Sequence, residues 1–154
     1  MILGIDPGNL RNYKSSNNGI CLFDEEKDFV EKACTCVGFS DLEKYVLNTL
    51  DNYPFNIIAV EITTSFSGSA KIAAGVHETI GALKYMVRPY GTAVKEVSAI
   101  KVANFISPHS TKSERMKWVF ENYRIPCDEH TADATIIAIM ASKNKIARTF
   151  RWLK

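Results

Sequence analysis

The chain opens Met1-Ile-Leu-Gly-Ile-Asp6-Pro7-Gly8. A short apolar run ended by a Pro-Gly turn reads as a strand buried on both faces. The residue that does not fit is Asp6, a carboxylate placed where the buried strand stops. The pattern recurs at Asn56-Ile-Ile-Ala-Val-Glu61-Ile62, where an apolar run meets Glu61. Strands covered on both faces are typical of parallel pairing in an α/β sheet.

The remaining elements fall in around these two. Gly19-Ile-Cys-Leu-Phe23 reads as a second strand and Phe29 to Gly38 as a third, with an acidic turn between, so the first three strands form an antiparallel meander. Polar residues Asn9 to Asn18 form a long loop. Ser40-Asp-Leu-Glu43 has the form of a capping box and predicts a helix to about Asn52. A helix is expected from about Gly68 to Val87, with Ile72, Val76, Ile80, Leu83 and Val87 as its apolar stripe. A fifth strand is expected at Ala93–Val97, then helices near Ser98–Ile106, Lys112–Tyr123 and Thr131–Lys145. The fold class is α/β: a mixed five-stranded sheet, three antiparallel strands followed by a parallel βαβ unit, flanked by helices.

The length of 154 residues is that of a single domain spanning 1–154. Hydrophobic residues make up 46% and charged residues 23%, as in ordinary globular chains and unlike disordered ones. No apolar run approaches the ~20 residues of a membrane span. The N-terminus lacks the basic and apolar regions of a signal peptide, so the cytoplasm is the expected compartment. Cys34-Thr-Cys36 is too tight for a zinc site, and all four cysteines are expected to be reduced. Net charge is only +2, so bulk charge does not announce a nucleic-acid partner. Its distribution is more informative: after Asp133 there is no acid, while Lys143, Lys145, Arg148, Arg151 and Lys154 follow. Such a tail suits either a solvated helix end or phosphate contact.

Taken singly, the chemistry-bearing residues have ordinary readings. Asp6 could start a turn, Glu61 could mark a strand end, His130 could neighbour a helix cap, and Asp133 could favour the amides of a first helical turn. Together they say more. If the strands ending in Asp6 and Glu61 are adjacent, both carboxylates emerge at one sheet edge, where burial and mutual repulsion both cost free energy. A divalent cation resolves both problems. His130 and Asp133, three residues apart, would share a helix face. Oxygen donors with one imidazole suit Mg²⁺ or Mn²⁺ better than zinc.

Gly4-Ile-Asp-Pro-Gly8 resembles the first motif of the RuvC-type Holliday junction resolvases, in the RNase H-like superfamily. Ala59-Val-Glu61, followed by the small-residue helix Ser69–Ala82, is similar to the family's second motif, and His130-Thr-Ala-Asp-Ala134 to its third. The resemblance implies that Asp6, Glu61, His130 and Asp133 are catalytic metal ligands for two Mg²⁺ ions, with Mn²⁺ able to substitute. It implies an RNase H-like nuclease domain acting on branched DNA, foremost four-way junctions, as a homodimer. Lys101 and Lys112 match the spacing of the family's two DNA-contacting lysines. The resemblance also implies a catalytic role for Lys112; Thr111-Lys-Ser-Glu114 reads as a capping box that puts this cation in a first helical turn, where a nearby phosphate would explain it and a solvated lysine is the plain alternative. Arg11 and Lys14, in the loop after Asp6, are further DNA-binding candidates. So is Phe66, which lies five residues after Glu61 where the family has its wedge aromatic three residues on; a loop aromatic tucked onto the core is the plain alternative. The longer loop and this shift suggest a phage or other viral version, acting in a host cytoplasm. Rival readings are a nuclease of flaps or forks, a sugar-kinase-like ATP-binding fold, and an inactive DNA-binding module. The kinase fold needs two related domains, and this chain has room for one.

Overall fold

The computed structural model describes residues 1–8, 15–53, 57–62 and 70–142, with the backbone alone at 70–73. Five strands form one sheet: β1 (Ile2–Asp6), β2 (Asn17–Asp24), β3 (Phe29–Val37), β4 (Ile57–Ile62) and β5 (Ala93–Ser98). Their order is β3-β2-β1-β4-β5. The first three pair antiparallel, and β1 with β4 and β4 with β5 pair parallel. The helices are α1 (Gly38–Asn52), α2 (Ala70–Val87), α3 (Ala99–Ala103), α4 (Lys112–Tyr123) and α5 (Glu129–Ala141). A turn of 3₁₀ helix, Arg88–Tyr90, follows α2 and ends at Gly91 with φ 67°. This is the mixed five-stranded sheet, three antiparallel strands and then a parallel set, that the sequence pattern predicts.

The sheet separates two apolar layers, and strand alternation decides which residue joins which. Leu3, Ile5, Ile20, Leu22, Ile58 and Val60 face α1 and α2. Ile2, Cys21, Phe23 and Ala59 face α5 and the helices beside it. The period of two carries Asp6 onto the side of Ile2 and Gly4, and Glu61 onto the side of Ala59. In the β1–β4 register Ile5 lies beside Val60, so the next residue of each strand is one of the two acids.

α5 is the central helix. Thr131, Ala132 and Ala134 to Ala141 are all buried. It lies so close to the sheet that a Cβ on Gly4 would run into the Ala134 carbonyl and the Ala138 methyl, and one on Gly19 into the His130 carbonyl. Its N-terminus is fixed by Asp128, whose side chain accepts from Thr131 N at 2.8 Å. Thr35 Oγ1 of β3 lies 2.7 and 2.8 Å from the two Asp128 oxygens and 2.9 Å from the Thr131 hydroxyl. That strand is thereby tied to the same helix end.

Several expected boundaries differ. α1 does not start at a Ser40 capping box: its N-cap is Val37 and no side chain caps it. Gly38, at φ 78°, turns the chain out of β3, and its N–H donates to Ser16 O at 2.7 Å, so the helix begins before Ser40. α3 stops at Ala103 instead of near Ile106, because Asn104 leaves helical geometry and its side chain accepts from His109 N at 2.7 Å. α5 begins at Glu129, two residues before the expected Thr131, because Asp128 supplies the cap. β2 starts at Asn17, inside the expected loop Asn9–Asn18, of which residues 9–14 lie outside the described residues. The Thr111 capping box and the bounds of α4 match expectation. Among the described residues no helix is long and apolar enough to cross a membrane.

Gly4→Ala and Gly19→Ala should each lower stability by about 2–3 kcal/mol or more, because the added methyl meets backbone that cannot rotate away. Urea unfolding followed by circular dichroism measures this. A loss below about 0.5 kcal/mol, the usual size of a surface substitution, would show that α5 does not sit this close.

Candidate active site

The carboxylates of β1 and β4 meet the N-terminal turn of α5 in a cleft of about 340 Å³. Asp6, Glu61, Glu129, His130, Asp133, Lys112 and Arg115 supply its polar lining. Ala99, Val102 and Ala103 of α3 close one side. His130 Nδ1 and Asp6 Oδ2 share a hydrogen bond at 2.9 Å. His130 Nε2 lies 3.6 Å from Glu129 Oε1, so this nitrogen is the one left for another partner. Lys112 Nζ sits 2.6 Å from Glu129 Oε2. Asp133 is gripped at both oxygens by Arg115, Nε to Oδ1 at 2.5 Å and Nη2 to Oδ2 at 3.1 Å.

The electrostatics follow from crowding acids at a sheet edge. Burial raises the pKa of Asp6 above the carboxylate range, and the hydrogen bond and charge of His130 only partly oppose it. Burial, then the charges of Asp6 and Asp133, push Glu61 up from 4.5 to about 8. The hydrogen bond to Asp6 raises His130 above its ordinary value. The site therefore carries more carboxylate than its own cations compensate, as a site for added positive charge would. Among the described residues no three His, Cys, Asp or Glu side chains are already gathered as a ligand set. Asp6 is engaged by His130 and Asp133 by Arg115. The donor chemistry nonetheless fits a hard cation: four carboxylates, Asp6, Glu61, Glu129 and Asp133, line the cleft with one imidazole.

The structure brings five residues singled out from sequence, Asp6, Glu61, His130, Asp133 and Lys112, to one cleft. Lys101 is exposed on α3 and is not among the cleft-lining residues. Arg11, Lys14, Phe66 and the basic residues from Lys143 on lie outside the described residues. Two functional groups escaped the sequence reading. Arg115 follows Lys112 by three positions on a helix with a capping box, a spacing that puts both on one face. Glu129 directly precedes His130, but nothing in its spacing separates it from a solvated acid.

No known family profile matches the sequence, and no curated protein matches it. Solved structures do. RuvC of Thermus thermophilus, in complex with a Holliday junction substrate, superposes with a TM-score of 0.71 at 20% identity, over 95% of each chain. A second structure of RuvC from that organism gives 0.71 at 19% identity, over 96% of each chain. The chain has the RuvC fold. The fowlpox virus resolvase, solved with a Holliday junction, is a more distant likeness, with a TM-score of 0.58 and 13% identity over 94% of this chain and 99% of that one.

The acid cluster has a pH signature without divalent ions. Between 4.5 and about 8 the unfolded chain has released the Glu61 proton while the folded chain still holds it. Unfolding therefore becomes easier as pH rises through that window. Thermal melts in a chelator from about pH 5.5 to about pH 8.5 should show Glu61→Gln gaining steadily on the wild-type chain as pH rises. A constant offset between the two curves would mean that Glu61 titrates normally.

Proposed function

We propose that this chain is a metal-dependent endonuclease that resolves four-way DNA junctions by phosphodiester hydrolysis, working as one RNase H-like domain. The observation that carries the reading is the pairing of Asp6 and Glu61 at adjacent strand ends, facing His130 and Asp133 across one cleft with Lys112 at its rim. The fold likeness to RuvC and to the fowlpox enzyme supports it, since both were solved with junction DNA.

Asp6, Glu61, Asp133 and His130 Nε2 are the donors that would hold two Mg²⁺ ions, or Mn²⁺ in their place. Bound there, the ions supply Lewis acidity and neutralise charge on the phosphate. The chain's own residues do the rest. His130 keeps Asp6 oriented through Nδ1, which leaves Nε2 toward the cleft. Lys112, held at the rim by Glu129, is placed to meet a phosphate oxygen. The apolar wall of Ala99, Val102 and Ala103 limits water on one side.

Paired cuts at a two-fold junction call for two sites related by the same symmetry, hence a homodimer. α2 offers a surface for it. Val76, Ile80, Leu83 and Val87 are buried against the sheet, while His77, Glu78, Gly81, Lys84 and Tyr85 are exposed. Tyr85 is 80% exposed, and the position of Gly81 is open, so a second helix could approach closely there. Ala74 lies between the two faces, half-buried, one turn before Glu78.

A panel of labelled four-way junctions, forks, flaps and linear duplexes with Mg²⁺ tests the reading. Symmetric cuts in the four-way junction are expected, and equal cutting of forks or flaps would move the assignment to those substrates. Asp6→Asn, Glu61→Gln and Asp133→Asn should abolish cleavage while junction affinity stays within about threefold, because phosphate contacts carry binding. Tenfold weaker binding by Asp6→Asn in a gel shift would contradict that division.

Two further outcomes are expected. A histidine ligand must be neutral, so proton competition should set in near or above the ordinary pKa of about 6.5, given the Asp6 hydrogen bond. The acid limb of the pH–rate profile should therefore lie higher in the wild-type chain than in His130→Asp, and superimposable limbs would exclude His130 as a ligand. Ala74→Glu should give a folded monomer by analytical ultracentrifugation that nicks junctions without resolving them. A dimeric variant with normal resolution would place the interface elsewhere.

A further inference from the structure

Arg115 is the best-held side chain in the cleft, and neither the acids nor Lys112 accounts for it. Its residue is only 7% exposed, deeper than any other charged group lining the cleft. Nη1 donates to Ser110 O at 2.6 Å, while Nε and Nη2 take both oxygens of Asp133. Ser110 is itself buried, with its hydroxyl and its N–H both donating to Ala103 O, at 2.5 and 2.9 Å. The guanidinium is thus locked from behind by the turn into α4 and points its fork at one carboxylate. It also sits within the field of Asp6 and Glu61, whose charges favour its protonated form.

A carboxylate gripped at both oxygens by a guanidinium has its charge compensated and its strongest acceptor directions filled. A divalent ion that takes Asp133 meets a cation already in place. We propose that Arg115 is the resident counter-cation of this acid cluster: it competes with a divalent ion for Asp133 and so sets the affinity of the site. The inference rests on the metal-dependent reading above. It makes Arg115 a positioning residue that holds Asp133 in place and compensated until the ion arrives. The opposite role, an outer partner that strengthens Asp133 as a ligand, predicts the opposite sign, since losing such a partner weakens metal binding.

The test is Mn²⁺ affinity by isothermal titration calorimetry on the full chain, first stripped with chelator, without DNA. Arg115→Met, which keeps much of the volume and removes the charge, should bind Mn²⁺ on the order of tenfold more tightly than the wild-type chain. Lys112→Met, which removes a cation of the same cleft that does not touch Asp133, should change affinity by less than about threefold. Stripped Arg115→Met should melt below the wild-type chain, because Asp133 is left without its partner, and saturating Mn²⁺ should close most of that gap. If Arg115→Met does not fold, Arg115→Lys decides. A point charge cannot grip both oxygens, so a smaller tightening is expected.

Unchanged or weaker Mn²⁺ binding by the folded Arg115 variant would overturn the proposal while wild-type binding upheld the metal site. Equal tightening by Lys112→Met would reduce the effect to general charge and overturn it as well. Absence of Mn²⁺ binding by the wild-type chain would remove both this inference and the reading beneath it.

Discussion

Gly4 and Gly19 leave room for α5 to lie against the backbone of β1 and β2, and the geometry of the cleft depends on that contact. A side chain at either position would meet the backbone of the helix and force it off the sheet. The His130–Asp6 contact would then be strained, because it bridges the two elements that this packing brings together. The glycines perform no chemistry. They set the distance at which a strand-end carboxylate and a helix-borne imidazole share a proton. The buried stretch Ala134–Ala141 holds the helix down with apolar area, while small residues facing the sheet keep the gap short.

Charge arrangement follows from that approach. Strand alternation sends Asp6 and Glu61 to the face where α5 starts, and α5 adds Asp133 on the same side. Burial leaves these groups little water, so each must be answered within the protein or by something bound. His130 answers Asp6, Arg115 answers Asp133 and Lys112 answers Glu129. Glu61 has no such cation in direct contact among the described residues, and its pKa climbs accordingly. The least compensated acid lies on the strand next to the one that bears Asp6.

Period and spacing made much of this legible in the sequence. Two apolar runs that end in acids read as strands covered on both faces, and the condition that they be neighbours is met by the parallel pairing of β1 with β4. The three-residue step from His130 to Asp133 places both on one helix face. The capping box at Thr111 was readable because both partners lie within one turn. Ser40 presented the same pattern and failed, since Gly38 turned the chain first; a positive φ is invisible to a motif match. Arg115 and Glu129 were missed for a common reason. Their roles come from partners on other elements, and local sequence carries no record of which arginine will find a carboxylate. Lys101, chosen by the spacing of the resemblance, is exposed on α3 outside the cleft lining.

The Thr35–Asp128–Thr131 contacts join β3, the outermost strand on that side of the sheet, to the first turn of α5. They cross the sheet surface from its rim to its centre. The helix end that bears His130 is therefore fastened at two places, to Asp6 through the imidazole and to β3 through the cap. A small opening confined to the cleft would have to break a strand-to-helix tie along with it. For these residues, local breathing is coupled to loosening of the sheet, and the cleft inherits the rigidity of the framework beneath it.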